Sequence, residues 1–116
     1  SKGDNLEAAV DPRFGRCAYF VILDSENIES FSVIENTFAD QAGGAGIKAG
    51  ELVSSEGVEA VLTGNVGPNA FKTLNAAEIN IYPGAKGKII DVVKDFNAGK
   101  YFASNSATVE SHNGMK

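Results

Sequence analysis

Three short stretches concentrate the hydrogen-bond donors of this chain. "DPRFGR" (Asp11 to Arg16) sets two arginines around an aromatic and a glycine. "AGGAG" (Ala42 to Gly46) opens a helix-like pattern with three glycines, and "TGNVGPN" (Thr63 to Asn69) follows an apolar run with two glycines and two asparagines. Guanidinium groups, a side-chain amide and backbone N–H groups left accessible by glycine are suited to holding an anion without a covalent ligand. The candidate set is Arg13, Phe14, Arg16, Gly43, Gly44, Ala45, Gly46 and Asn65. Each also has a plainer reading. The glycines can supply positive-φ turns and close helix–sheet packing, and Asn65 and Asn69 can be a turn residue and a first-turn helix residue. The arginines can cap Asp11 or Asp24. The glycine spacing is not GxGxxG and no Lys-Ser or Lys-Thr follows, so nucleotide binding has little support.

Groups that carry catalysis are scarce. One cysteine, Cys17, and one histidine, His112, allow neither a disulfide within the chain nor a four-ligand zinc site of the usual kind. Any metal would have to arrive with its own ligands. Cys17 reads either as a small buried near-apolar residue or as a thiolate favoured by Arg13 and Arg16. His112 sits in a polar tail and makes a poor base, and no Ser-His-Asp set is present. For a magnesium-dependent nuclease the strands offer mainly Asp24 and Glu35. Binding without turnover is the expectation.

A formal net charge of −5, with the ten basic residues scattered, argues against nucleic acid as a partner. No apolar run approaches the roughly 20 residues that span a bilayer, and the first residues are not a basic-then-apolar signal segment. A soluble, cytoplasmic monomer is expected.

These loops must be positioned by the elements between them. "AYFVILD" (Ala18 to Asp24) is a continuous apolar run of strand length, and "IESFSVIE" (Ile28 to Glu35) alternates. With "DSEN" between them they predict an antiparallel hairpin. Ala45, Ala49, Leu52 and Val53 then recur at helical spacing, ending near Gly57. "EAVLTG" (Glu59 to Gly64) reads as a short buried strand. A second helix carries Ala70, Phe71, Leu74 and Ala77 inward, with Pro68 in its first turn. "INIY" (Ile79 to Tyr82) is a strand, and a third helix with Ile89, Val92, Val93 and Phe96 on one face closes at Gly99. Strand, helix, strand from Glu59 to Tyr82 is a βαβ unit with parallel strands. The predicted class is α/β, a mixed β-sheet flanked by three α-helices. Residues 1–103 form one domain in this reading, with 104–116 a polar, loosely ordered tail.

Three segments carry a resemblance: "VDPRFGRCAYFVILD", "ENTFADQAGGAGIKAGELVSSEGVEAVLTGNVGPNAF" and "GKIIDVVKDFNAGK". Together, from about Val10 to Lys100, they resemble the dinitrogenase iron-molybdenum cofactor biosynthesis family, of nitrogenase cofactor carrier and orange-protein type. The resemblance implies a ribonuclease-H-like fold and non-catalytic, non-covalent binding of a preformed molybdenum-containing metal–sulfur cluster, either iron-molybdenum cofactor-like or a molybdenum–copper sulfide. It implies a cluster donor or acceptor protein as partner. It makes the arginines and the glycine loop a cradle for an anionic cluster. Two departures stand out. Family members usually open with a short apolar strand ahead of the region matching "SKGDNLEAAVDPRFGR", so such a strand is expected in the native chain. They commonly carry Ala where this chain has Cys17, which favours packing for that residue, with ligation by Cys17 or His112 left open. The alternatives are a small-anion or protein-binding module and a metal-dependent nuclease on the same fold.

Overall fold

An apolar run such as "YFVILD" must be covered on both faces, and its first partner is the strand that follows it. β1 (Tyr19–Asp24) and β2 (Asn27–Glu35) form an antiparallel hairpin, in register from Tyr19 opposite Glu35 to Leu23 opposite Phe31. At its turn the Asp24 carboxylate accepts the Glu26 N–H at 2.9 Å, the self-bonding that makes Asp a turn residue. The computed structural model describes residues 1–24, 26–41, 43–104 and 107. After the hairpin come α1 (Ala45–Ser54), β3 (Ala60–Leu62), α2 (Pro68–Ala76), β4 (Asn80–Tyr82) and α3 (Ile89–Asn97). β3 and β4 are parallel, with Ala60 opposite Asn80 and Leu62 opposite Tyr82, so the βαβ unit is present. His112 and nearly all of the expected tail lie outside the described residues.

The continuous mixed sheet expected from sequence is two separate two-stranded sheets. The cause is geometric: β1 and β3 border a common hollow and do not pair with each other. β2 alternates as a strand should, and its apolar residues Phe31 and Val33 remain 39% and 36% exposed.

The helices cover the β3–β4 sheet through Ala49 and Val53 of α1 and Ala70 and Leu74 of α2, which meet Val61 and Ile81 in one core. α1 and α2 approach closely because Gly46 and Gly50 lack side chains. A Cβ on Gly46 would stand 3.3 Å from Ala70 Cβ, and one on Gly50 only 2.8 Å from Thr73 Cγ2.

The helix ends show which backbone groups remain available. α3 has no side-chain cap, but the N–H groups of Ile89 and Ile90 donate to the carbonyls of Ala8 and Leu6, each at 2.9 Å. The N-terminal segment thus satisfies donors that a helix start leaves unpaired. At its other end, Gly99 (φ 78) donates to Phe96 O and Lys100 N–H to Asp95 O, a Schellman ending. α2 ends the same way, with Glu78 N–H to Asn75 O and Ile79 N–H to Leu74 O, each at 3.0 Å. There the left-handed residue is Glu78, at φ 62. A non-glycine pays about 1–2 kcal/mol for that conformation. Glu78→Gly is therefore expected to stabilise the fold by about 0.5–1 kcal/mol, the gain being trimmed by glycine's greater freedom when unfolded. Thermal melting of the two proteins checks it.

Candidate functional site

The arginine-bearing turn is fixed from within. The Asp11 carboxylate, 7% exposed, accepts the Arg13 backbone N–H at 2.8 Å and Arg13 Nε at 3.3 Å. That is the capping role weighed for Arg13, yet its side chain stays 67% exposed and can reach a second anion. Phe14 points the other way. It is buried against Phe20 with ring centroids 5.2 Å apart, so it anchors the turn in the core and does not line the rim.

The same turn is joined to the third loop. Phe14 N–H donates to Asn65 O at 3.2 Å and Asn65 N–H to Pro12 O at 2.9 Å, a parallel bridge that aligns Arg13 with Asn65. Asn65 therefore contributes its backbone to the assembly and leaves its side chain exposed. Gly64 makes the approach possible, since a Cβ there would lie 2.6 Å from Pro12 Cα.

Arg16 braces the second loop, its Nη1 donating to Ala39 O at 2.8 Å and to Gln41 O at 2.6 Å. Gln41 Nε2 in turn donates to Gly43 O at 2.5 Å. The glycines divide their work. Gly44, the α1 N-cap, is left-handed (φ 75, ψ 12), which only glycine adopts at little cost. Gly46 is required by α2, as described above. Gly43 alone faces open space, with nothing within 4 Å of a would-be Cβ. Ala42, between Gln41 and Gly43, lies outside the described residues. Gly15 closes the assembly: its Cβ would sit 3.0 Å from Gly46 Cα, so the arginine turn rests on the first turn of α1.

That first turn has neither a side-chain cap nor an acidic residue. Among the described residues no backbone acceptor meets the N–H groups of Ala45, Gly46 and Ile47, in contrast to α3. A helix start of this kind carries unpaired donors and a partial positive charge. Ala45 itself is buried and offers backbone only. Arg13, Arg16, Gly43, Gly44, Gly46 and Asn65 are thus gathered at one rim, while the side chains of Phe14 and Ala45 turn inward. The rim is open; the hollow of about 610 Å³ in this molecule lies between β1 and β3.

The family description "dinitrogenase iron-molybdenum cofactor" matches residues 1–99. The chain belongs to this family. It is 33% identical over 93 residues to the uncharacterized protein MJ0580 of Methanocaldococcus jannaschii, covering 78% of this chain and 79% of that one. Among solved structures, the apo form of the orange protein from Desulfovibrio gigas superposes with a TM-score of 0.88 at 32% identity, over 92% of this chain and 90% of the other. The Thermotoga protein TM1290, of the DUF35 family, gives 0.76 at 39% identity, over 89% and 87%.

In this family member Cys17 is 2% exposed, its Sγ donating to the Phe14 carbonyl at 3.2 Å. Burial pushes the thiol above its ordinary pKa of 9.0, and the nearby N-terminal ammonium only partly offsets this. The arginines do not make it a thiolate. A folded pKa above the unfolded one gives a contribution that is complete below the unfolded value and lost as pH climbs through the folded value. The native thiol is expected to resist iodoacetamide at pH 8 and to react once the chain is unfolded. Above about pH 9.0, Cys17→Ala should lose stability less steeply than the parent chain; equal slopes in alkaline melts would contradict this.

The carboxylates weighed for a nuclease are far apart. Glu35 pairs with Tyr19 at one end of the hairpin and Asp24 with Asn27 at the other, roughly 16 Å away at strand spacing. Among the described residues no group of three or more His, Cys, Asp or Glu side chains is placed to hold a metal ion. No helix among them is long and apolar enough to cross a membrane.

Proposed function

We propose that this chain is a non-catalytic carrier for a preformed, anionic, molybdenum-containing metal–sulfur cluster, held without a covalent ligand at the rim of the arginine turn and the glycine loop. The observation that carries the reading is the start of α1. It is uncapped, free of acidic side chains in its first turn, opens beside the unobstructed Gly43, and shares its rim with a mostly exposed Arg13. The donor set is hard and cationic. A cluster that brings its own sulfide ligands and presents negative charge fits it, whereas a bare metal ion finds few ligands. Family membership and the likeness to the orange protein support a cofactor-related role. The ribonuclease-H-like description of the fold and the cluster donor or acceptor as partner belong to this same reading.

The test uses tetrathiomolybdate, a coloured sulfide-ligated dianion, against inorganic phosphate as a plain anion. Saturable binding of tetrathiomolybdate, weakened as salt rises because the arginines are exposed, supports the carrier. Equal or tighter binding of phosphate would favour a small-anion module.

A further inference from the structure

The two strands of the hairpin have different surroundings. β1 borders the hollow, whereas among the described residues no strand lies beside the far edge of β2. The hairpin register shows which groups that edge presents. Asn36 N–H donates to Ala18 O at 2.9 Å, so Ala18 and Asn36 face each other as a hydrogen-bonded pair. Along an antiparallel ladder such pairs alternate with pairs whose backbone groups point apart. Glu35 opposite Tyr19, Val33 opposite Val21 and Phe31 opposite Leu23 are therefore pairs of the second kind. On β2 their N–H and C=O groups point outward. Among the described residues no backbone group meets those of Phe31, Val33 and Glu35 there.

Folds ordinarily blunt a free strand edge with lysine, proline or a bulge. Ser30 to Ile34 contains neither charge nor proline, and the register shift of the hairpin lies at its turn end, between Leu23 and Asp24. Phe31 and Val33, two residues apart, share one face of the strand and are 39% and 36% exposed.

Charge decides what kind of segment fits this edge. From Cys17 to Ile47 the chain carries Asp24, Glu26, Glu29, Glu35 and Asp40 but no lysine or arginine. The other ten acidic residues equal the ten basic ones in number, so the entire formal net charge of −5 falls on this stretch. Asp24, Glu26, Glu35 and Asp40 are exposed, and none of the four is in an ion pair among the described residues. The edge is an apolar centre with acid on either side. A second copy of the chain would bring the same sign of charge to it, and like charges across a strand pair oppose pairing. A segment of opposite charge is drawn to it.

We propose that the outer edge of β2 is a strand-addition site for a partner protein. The occupant is an extended segment of that partner, with alternating β-branched residues flanked by lysine or arginine. Its backbone bonds to Phe31, Val33 and Glu35, its apolar side chains cover Phe31 and Val33, and its cations face Glu35 and the acidic turn. Recognition of this kind takes affinity from the main chain and selectivity from alternate side chains. It does not rest on the carrier reading, since the rim is built from other residues.

The experiment titrates the whole chain with the peptide acetyl-Lys-Lys-Val-Thr-Val-Thr-Val-Lys-Lys-amide and follows amide hydrogen exchange by NMR. The control peptide carries glutamate in place of each lysine. With the lysine peptide at about 1 mM, exchange at Phe31, Val33 and Glu35 is expected to slow about threefold or more. Ser32 and Ile34, which face β1, should not change, and the glutamate peptide should slow none of the five. Val33→Lys puts a like charge against the peptide at an exposed position. It should melt within about 3 °C of the parent and lose the response. Unchanged exchange at the three amides, equal slowing by both peptides, or a full response in Val33→Lys would overturn the proposal. Slowing that appears with rising protein concentration alone would overturn it as well, by assigning the edge to a second copy.

Discussion

Gly43→Asp is expected to bind tetrathiomolybdate about thirtyfold more weakly than the parent chain while melting at the same temperature or slightly higher. The two effects separate because of where Gly43 lies. Its Cβ direction is open, with nothing within 4 Å, so an aspartate enters without a clash. Just ahead of the α1 N-cap, the new carboxylate faces the partial positive charge of the helix start, worth about 0.3–1 kcal/mol of stability. The same carboxylate repels an anion in that space and competes for its donors, together about 2 kcal/mol, or roughly thirtyfold in affinity. Gly44→Val is a poorer probe, since φ 75 makes valine there strained and costs the fold directly. Spectrophotometric titration and thermal melting of Gly43→Asp read the two quantities on one sample. Undiminished binding would move the site away from this loop.

Gly64→Ala carries the largest expected loss of stability. The added methyl would lie 2.6 Å from Pro12 Cα and 2.9 Å from Pro12 O, and these are backbone atoms that cannot swing aside. Relief requires opening the bridge between Arg13 and Asn65, with its hydrogen bonds at 3.2 and 2.9 Å. Overpacking of this kind costs about 1–3 kcal/mol, and the upper part of that range applies here, or roughly 10–15 °C in the melting midpoint. Differential scanning calorimetry measures it. A midpoint within a degree or two of the parent's would mean that the two loops are not in contact. Because the bridge aligns the arginine turn with the loop that carries Asn65, the variant should also bind the probe anion less well at temperatures where it is folded.

Periodicity made the helices legible. Ala45, Ala49, Val53, Ala70, Leu74, Ile89, Val92 and Val93 are all buried where their spacing placed them. Ala77 failed because it caps α2, beyond the last full turn, and is exposed. The parallel βαβ pair was legible from its strand–helix–strand order, but the single sheet was not, because the slot between β1 and β3 depends on contacts far apart in sequence. Among the candidate site residues, the glycine cluster announced that the loop is special without saying why. Three different demands, an open face at Gly43, a left-handed turn at Gly44 and helix contact at Gly46, read identically as glycine. Phe14 looked like part of a binding turn because it lies between two arginines. Only its packing on Phe20 shows that it is the anchor. Glu78 gave no signal at all, since its residue type argues against the conformation it holds. Gly50 and Gly64, which bring the helices and loops together, were hidden for the same reason as any close approach: their partners, Thr73 and Pro12, are distant in the chain.

The central claim is that the rim holds a metal–sulfur cluster. Anaerobic isolation of the protein from its native cells, followed by metal and acid-labile sulfide analysis with a visible absorption spectrum, tests it most directly. The carrier reading predicts a coloured protein containing molybdenum together with sulfide, both lost in Gly43→Asp. A colourless protein free of molybdenum and sulfide, from cells supplied with molybdate, would contradict it.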